Sequence, residues 1–180
     1  CIRDRTCIGK TMRYIQIACK IPNLRKPMDF KGKVQQKIQN QRGNMKIHNA
    51  SCLCNGVRFM IRGELRPVIY CHCSQCLKTH GHFAAYTSAV KEQIEWQSKE
   101  THCWFDSSEK AWRGFCRKCG ANLFYELKGG AGLSITAGSI ESSTGLHVAG
   151  HIYFENHSDY YEVLDQLPKF RENSSEDFPD

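Results

Sequence analysis

The stretch Tyr70-Cys71-His72-Cys73-Ser74-Gln75-Cys76-Leu77 places three thiols within a single short turn. A C-x-C-x-x-C spacing lets one turn direct all three sulfurs to a common centre. A soft thiolate cluster of this kind suits Zn²⁺ best among the abundant divalent metals. Three protein ligands leave one tetrahedral position open, as in catalytic zinc sites. We therefore predict a catalytic zinc at Cys71, Cys73 and Cys76.

Two further cysteine pairs predict a second, closed site. The segment Cys116-Arg117-Lys118-Cys119-Gly120 has the spacing of a zinc knuckle, and Gly120 tolerates the positive φ that such turns often require. A knuckle supplies two ligands, and the pair Cys52 and Cys54 is the obvious source of the other two. A site of this kind would cross-link a long loop and contribute to folding.

The cysteine pattern leaves alternatives open. The seven thiols could divide differently, for example with Cys71 and Cys73 joining Cys116 and Cys119, and an iron–sulfur cluster could replace zinc. The triple-cysteine site could also be structural if the protein supplies a fourth ligand. The candidates for that ligand are His72, His80, His82 and Cys103. We expect His72 to point away from the metal at the wall of the site, and His80 and His82 to be ordinary exposed or packed histidines.

Charge divides the 180 residues into unequal parts. Residues 1–44 contain 11 Lys or Arg and two acidic residues, whereas the remainder contains 14 basic and 16 acidic residues, although the whole chain has a net charge of +7. The main part therefore gives no electrostatic case for nucleic acid. We expect residues 1–44 to be a basic, poorly ordered extension or no part of the native domain, residues 45–170 to form one domain, and residues 171–180 to be an acidic tail.

Hydropathy and cysteine usage bear on the compartment. No run approaches the roughly 18 apolar residues that a membrane span needs, and we see no secretory signal in the given sequence. Seven of the 11 cysteines fall in metal-type clusters, which favours a reducing environment over a disulfide framework. We expect a cytoplasmic protein that does not bind membranes.

The pattern of the main part is that of short strands. Residues 57–62 alternate as a half-buried strand should, with Gly56 and Gly63 at its ends. Similar runs lie at 81–90, 94–96, 102–105, 111–115, 122–127, 133–137 and 150–154. We expect short helical turns at 74–79 and 160–164 and a turn at 106–108. Many short strands without a long helix predict a single, mainly β domain.

Together these motifs resemble the glutathione-dependent formaldehyde-activating enzyme family, which includes the centromere protein V group. The matching segments are Ser-Cys-Leu-Cys-Asn-Gly-Val-Arg-Phe at 51–59, Cys-His-Cys-Ser-Gln-Cys at 71–76, Phe-Cys-Arg-Lys-Cys-Gly-Ala-Asn-Leu-Phe at 115–124, Ala-Gly-Ser-Ile at 137–140, His-Ile-Tyr-Phe at 151–154 and Asp-Gln-Leu-Pro-Lys-Phe at 165–170. The sequence departs from the usual family residues at Asn55, at Ile140-Glu141 and at Tyr160-Tyr161. These changes bear on the substrate pocket and spare the zinc ligands.

The resemblance implies a zinc-stapled β-rich domain of tent-like type with two zinc ions per chain. It implies that Cys52, Cys54, Cys116 and Cys119 hold a structural zinc, and that Cys71, Cys73 and Cys76 hold a second, looser zinc at the active site. It also implies a carbon–sulfur lyase activity that joins glutathione and formaldehyde as S-(hydroxymethyl)glutathione.

The charge of the three-thiolate site points to thiol chemistry independently of the family. Zn²⁺ with three thiolates has a formal charge of −1, so it is a weaker Lewis acid than a three-histidine site and suits a fourth sulfur ligand better than water. This predicts a small-molecule thiol and a carbon electrophile such as a small aldehyde as substrates. Arg58, Arg113 or Arg117 could anchor a carboxylate of the thiol, although solvated surface positions are the ordinary expectation for each.

A second hypothesis treats the chain as a non-catalytic, zinc-stabilised β module that binds another protein. Its surface would include the aromatic residues Trp96, Trp104 and Trp112. The ordinary expectation for a tryptophan is a place in the core, which would count against this hypothesis.

Overall fold

The structure is a computed structural model that describes residues 46–141 and 143–172. Ten strands form most of it: β1 (Ile47–Ser51), β2 (Val57–Arg62), β3 (Val68–Cys71), β4 (Ala84–Val90), β5 (Ile94–Lys99), β6 (His102–Ser108), β7 (Ala111–Cys116), β8 (Asn122–Leu127), β9 (Gly132–Thr136) and β10 (Val148–Ile152). The expected extension over residues 1–44 and most of the expected acidic tail lie outside the described residues.

The strands form two sheets. A three-stranded antiparallel sheet has the order β1-β2-β5, and a seven-stranded sheet has the order β10-β3-β4-β9-β8-β7-β6. Neighbouring strands of the larger sheet are antiparallel, except for β10, which lies parallel to β3 at one edge. Short 3₁₀ turns occupy Lys91–Gln93, Ala137–Ser139 and Phe154–Asn156. The prediction of a mainly β fold is confirmed.

A short helix connects two neighbouring strands of the larger sheet. Helix α1 (Ser74–His80) lies between β3 and β4, where the sequence predicts a helical turn. Gly81 ends the helix in the left-handed conformation with φ of 71°, and its N–H donates to the carbonyl of Leu77. Glycine adopts this conformation without a steric cost, so the chain can turn directly into β4.

The main core combines residues of both sheets. Val57, Phe59 and Ile61 alternate along β2 and are fully buried, as the period of two predicts. They cluster with Phe124 of β8 and Ile135 of β9. The large apolar faces of the two sheets therefore pack against each other. A separate, smaller cluster surrounds the triple-cysteine turn, with Cys71, Cys76, Ala84 and Tyr86 as its buried members.

Two local predictions are wrong. Residues 106–108 belong to β6, which carries a bulge between Asp106 and Ser108, and the turn follows at residues 109–110. Residues 160–164 form no helix, because their side chains and backbone serve tertiary contacts described below. Among the described residues, no helix is long and apolar enough to cross a membrane.

Candidate metal centres

Four cysteines from two distant hairpins meet at one point. The sulfurs of Cys52, Cys54, Cys116 and Cys119 all lie within 4.8 Å of one another. The Sγ atom of Cys54 lies 3.6 Å from those of Cys52 and Cys116. Tetrahedral zinc with ordinary Zn–S bonds places its sulfurs about 3.8 Å apart, so these four residues fit zinc.

The backbone of both turns holds the four sulfurs in place. Asn55 follows the first pair with φ of 59°, and Gly120 follows the second with φ of 73°. Asparagine is among the residues best tolerated in the left-handed region, so Asn55 can adopt this conformation at little steric cost. The N–H of Val57 donates to Cys52 Sγ at 3.3 Å, and the hydroxyl of Thr101 lies 3.0 Å from Cys116 Sγ.

The remaining three clustered cysteines form a separate group. Cys71 ends β3, Cys73 caps the start of α1, and Cys76 lies in the first turn of α1, with all three sulfurs within 4.8 Å of one another. The N–H of Cys76 donates to Cys73 Sγ at 3.4 Å. Cys71 and Cys76 are buried, whereas Cys73 is half-buried and forms the accessible side of the cluster.

Crowding makes the three thiols share negative charge unequally. Hydrogen bonds from the thiols of Cys71 and Cys76 lower the pKa of Cys73 to about 2. Hydrogen bonds with Cys73 and Cys76, followed by burial, raise the pKa of Cys71. The group thus has one readily ionised thiol next to thiols that resist ionisation. A bound divalent cation would favour the ionised form of all three, so this donor set also fits zinc.

The two groups are distinct, and the mixed partition of the cysteines is wrong. None of the described histidines joins the three-cysteine group. His72 points away from the sulfurs, as expected, and both of its ring nitrogens have other partners. His80 lies 3.2 Å from the hydroxyl of Tyr86, and His82 packs on the ring of Tyr161. In the part of the chain that the structure describes, the group therefore has three sulfur donors, and none of the candidate histidines supplies a fourth.

A hydrogen-bonded chain of polar side chains, buried at His72 and His151 and exposed at Asp165, lies behind the three-cysteine turn. Nδ1 of His72 lies 2.7 Å from the hydroxyl of Tyr161, and Nε2 of His72 lies 2.8 Å from Nδ1 of His151. Nε2 of His151 lies 3.1 Å from both carboxylate oxygens of Asp165. An ionised carboxylate can only accept, so His151 donates from Nε2 to Asp165. His72 then donates from Nε2 to Nδ1 of His151, and the hydroxyl of Tyr161 donates to Nδ1 of His72.

This chain keeps His72 neutral. Burial, and then the charge of His151, lower the pKa of His72 to about 4. The backbone N–H of His72 also donates to the carbonyl of Ile152 at 3.0 Å. Because His72 stands between two of the clustered cysteines, these contacts fix the turn to β10 and to the segment that follows it. Sequence reasoning missed His151 and Asp165 as supports of the site.

Arg113 places a charged group beside the three-cysteine group. It lies on β7, only 6% exposed, with its Nη2 3.7 Å from Cys76 Sγ. Its other bonds go to the side-chain oxygen of Gln75 at 3.2 Å and to the hydroxyl of Tyr86 at 3.2 Å. The expectation of a solvated surface position is wrong for Arg113, whereas Arg58 and Arg117 are exposed as expected. In the sequence, Arg113 stands between Trp112 and Gly114, and this local pattern does not indicate that its side chain is buried.

A cleft of about 830 Å³ borders the four-cysteine group, with Cys52 in its lining. The turn of Leu53 and Asn55 and the knuckle residues Gly120 and Ala121 line one side of it. His80, at the end of α1, lines the other side and connects through Tyr86 and Arg113 to Cys76. None of the three clustered cysteines lines the cleft itself, so the cleft lies beside the group rather than over it.

The tryptophans give little support to an aromatic binding surface. Trp96 and Trp104 pack against the main core, and the ring of Trp112 lies under the ammonium of Lys128, 5.2 Å from its centroid. His102 belongs to the same aromatic group as Trp96 and Trp104. Its Nε2 is buried and has no hydrogen-bond partner among the described residues.

The fold and the two sulfur clusters define a β-rich protein with two groups of cysteines that could each hold a metal ion. The glutathione-dependent formaldehyde-activating enzyme family matches residues 47–156, which is more than half of the chain. The chain belongs to this family, and the resemblance drawn from its motifs is confirmed. Membership indicates a zinc-binding, formaldehyde-activating type of protein.

Other comparisons add little. A solved structure of a Rhodobacter sphaeroides protein aligns with 19% identity and a TM-score of 0.46, covering 57% of this chain and 98% of that one. A similarity at this level carries no argument about the function of this chain. No curated protein sequence matches the chain.

Proposed function

We propose that the protein is a zinc-dependent enzyme of the carbon–sulfur lyase class that adds the thiol of glutathione to a small aldehyde such as formaldehyde. Family membership supports the formaldehyde-activating class. The observation that carries the proposal is a group of three converging sulfurs to which no described histidine adds a fourth donor. A metal held there would retain a position for a ligand from outside the protein.

We propose two zinc ions per chain. Cys52, Cys54, Cys116 and Cys119 would hold a structural zinc, and Cys71, Cys73 and Cys76 would hold a second, more easily removed zinc. When bound, the second zinc supplies a site that lowers the pKa of an added thiol and keeps its sulfur nucleophilic. The seven cysteines of the two groups are all free thiols. A reducing compartment such as the cytoplasm would keep them available for metal, and we propose that location.

The chain's own residues would bind and orient the two substrates. Cys73, the half-buried member of the three-cysteine group, would be the side that the substrates approach, and the cleft that begins at His80 is large enough for a tripeptide. Glu141, Asn55 and Asn122 give this cleft polar and anionic lining, so the amino group of glutathione would lie near Glu141. In the reaction, a C–S bond forms, the S–H bond breaks, and the proton ends on the former carbonyl oxygen. No oxidant or reductant is needed.

Zinc retention in the presence of glutathione tests the proposal. We expect two zinc ions per purified chain, of which a mild chelator removes one. Glutathione should slow that removal, whereas S-methylglutathione, which lacks a thiol, should not. NMR spectra with ¹³C-formaldehyde should show faster formation of the glutathione adduct with the zinc-loaded protein than without it.

The matched variant Cys73→Ser should lose both the removable zinc and the glutathione effect. If glutathione neither binds the zinc-loaded protein nor slows metal loss, the enzymatic function is wrong. The non-catalytic, zinc-stabilised module would then be the better description.

A further inference from the structure

Arg113 carries a charge that no carboxylate balances. It is 6% exposed, and none of the ion pairs among residues 46–141 and 143–172 includes it. Two of its hydrogen-bond partners, Gln75 and Tyr86, are neutral groups. An arginine is always ionised in proteins, and burying an unpaired charge is costly, so the balancing charge must come from elsewhere.

The sulfur group is the anionic partner within reach. Nη2 of Arg113 lies 3.7 Å from Cys76 Sγ, and the three sulfurs lie together on that side. The guanidinium therefore belongs to the electrostatics of the three-cysteine group.

We propose that Arg113 is the internal counter-ion of the three-cysteine metal site and prepares it to accept an anionic fourth ligand. Three thiolates and one divalent cation have a formal charge of −1, which the guanidinium cancels. The added sulfur then brings the site to −1 instead of −2. The part concerning the fourth ligand rests on the proposed function, whereas the effect on metal retention requires only that the three cysteines bind zinc.

The surroundings of Arg113 hold the guanidinium in one orientation. Gln75 of α1 accepts from Nε, the hydroxyl of Tyr86 on β4 accepts from Nη1, and the guanidinium lies 5.2 Å from the ring centroid of Tyr125 on β8. Three elements thus restrain the group before any metal arrives, which lowers the ordering cost of its contact with sulfur. Arg113 acts through Cys76, so it is a positioning residue rather than a catalytic one.

Arg66 provides a matched control. It is also partly buried, and its guanidinium donates to the hydroxyl of Ser88 at 3.0 Å and to the carbonyl of Tyr86 at 3.3 Å. None of its described hydrogen bonds involves a sulfur. Arg66→Met therefore removes an equivalent charge and hydrogen bonds to the same strand without touching the metal group.

Zinc affinity, measured by competition with a chromogenic chelator, tests the counter-ion. In Arg113→Met, we expect the removable zinc to bind about 10- to 100-fold more weakly, as for the loss of other groups that contact metal ligands. Arg113→Lys should recover most of the affinity because it keeps the charge, and Arg66→Met should match the wild type. The four-cysteine zinc should be retained in all variants and reports correct folding.

Glutathione should bind zinc-loaded Arg113→Met about 10-fold more weakly.

Wild-type zinc affinity in Arg113→Met would overturn the proposal, and so would equal losses in the Lys and Met variants, because shape rather than charge would then matter. If Arg113→Met does not fold, Arg113→Lys remains decisive, since a folded Lys variant that loses the removable zinc contradicts a role for charge. Absence of glutathione binding to the wild type would refute the proposed function alone. The zinc measurements would still decide whether Arg113 is the counter-ion.

Discussion

Tyr161 supplies a hydroxyl at one of the places where the sequence departs from the usual residues of its family. That hydroxyl lies 2.7 Å from Nδ1 of His72 and begins the hydrogen-bonded chain that runs through the buried His72 and His151 to the exposed Asp165. Because His72 stands between two of the clustered cysteines, this hydroxyl helps to hold the three-cysteine turn in place.

Tyr161→Phe should reduce the free energy of unfolding by about 1–3 kcal/mol, because it leaves the buried Nδ1 of His72 without a donor. The neighbouring Tyr160→Phe is the matched control. Tyr160 is 62% exposed and donates to the carbonyl of Gly81, so its change should stay within about 0.5 kcal/mol. Urea unfolding of both variants measures the difference, and equal values would show that the histidine chain contributes nothing.

His102 should make the fold sensitive to acid. Burial, and then the charge of Lys99, lower the pKa of His102 to about 4, whereas an unfolded histidine titrates near 6.5. Below pH 6.5 the unfolded chain binds a proton that the folded chain excludes, so stability is lost as the pH falls toward 4. Nε2 of His102 also lacks a hydrogen-bond partner among the described residues. Replacing His102 by a side chain that does not titrate therefore removes no hydrogen bond at Nε2.

His102→Leu removes this proton-linked loss. Relative to wild type, the variant should gain about 1–2 kcal/mol of unfolding free energy between pH 7.5 and pH 5, whatever its packing cost at pH 7.5. Urea unfolding of both proteins at the two pH values gives the change in unfolding free energy with pH for each. Subtracting the wild-type change from that of the variant cancels the effects of acid on the metal sites, which both proteins share. A parallel pH response of the two proteins would show that His102 is not the buried neutral group described here.

At the scale of single residues, spacing in the sequence was enough to identify the seven clustered cysteines. Their ligand chemistry depends on local turns, which short motifs encode. Arg113, His151 and Asp165 could not be found this way, because they approach the cysteines only through the pairing of distant strands. Whether a given arginine faces sulfur or water depends on the register of β7 in its sheet.

At the scale of elements, periodicity located the strands and missed their ends. Val57–Arg62 was predicted with its observed bounds, because one face is buried and the flanking residues are glycines. Residues 106–108 suggested a turn by composition, yet the hairpin continues through them with a bulge. Residues 160–164 suggested a helix, but the hydroxyls of Tyr160 and Tyr161 instead bind Gly81 and His72. Tertiary hydrogen bonds overrode the local preference there.

The knuckle between β7 and β8 depends on the backbone of Gly120. Gly120 has φ of 73°, and a methyl group there would meet no atom within 4 Å, so any cost of Gly120→Ala is conformational. We expect a loss of about 1–2 kcal/mol in unfolding free energy, and a smaller loss for Gly120→Asn. Gly132→Ala is the control, since it has equal space without a positive φ. Thermal unfolding that ranks the control with Gly120→Ala would contradict this account.

At the scale of the whole molecule, the two cysteine groups differ in what they join. The four-cysteine group connects the hairpin of the small sheet to the larger sheet, whereas the three-cysteine group lies within one turn between β3 and α1. Single substitutions should separate these roles. Cys119→Ser should cost more than about 4 kcal/mol, because it opens the connection between the sheets.

Cys73→Ser should instead remove one zinc and leave the fold intact. Metal analysis together with circular dichroism measures both quantities on the same samples. A Cys73→Ser protein that unfolds, or a Cys119→Ser protein that remains as stable as the wild type, would reverse the assignment of the two groups.

The separation of the cysteines along the chain sets a timetable for metal delivery. Cys54 and Cys116 stand 62 positions apart, whereas the C-x-C-x-x-C turn is complete within six residues. Closing a short loop costs less entropy than closing a long one, so a chain leaving the ribosome can chelate an ion at the turn well before both sheets exist. Under the proposed function, the site that we expect to release its zinc more easily would thus be the first that can bind an ion during synthesis.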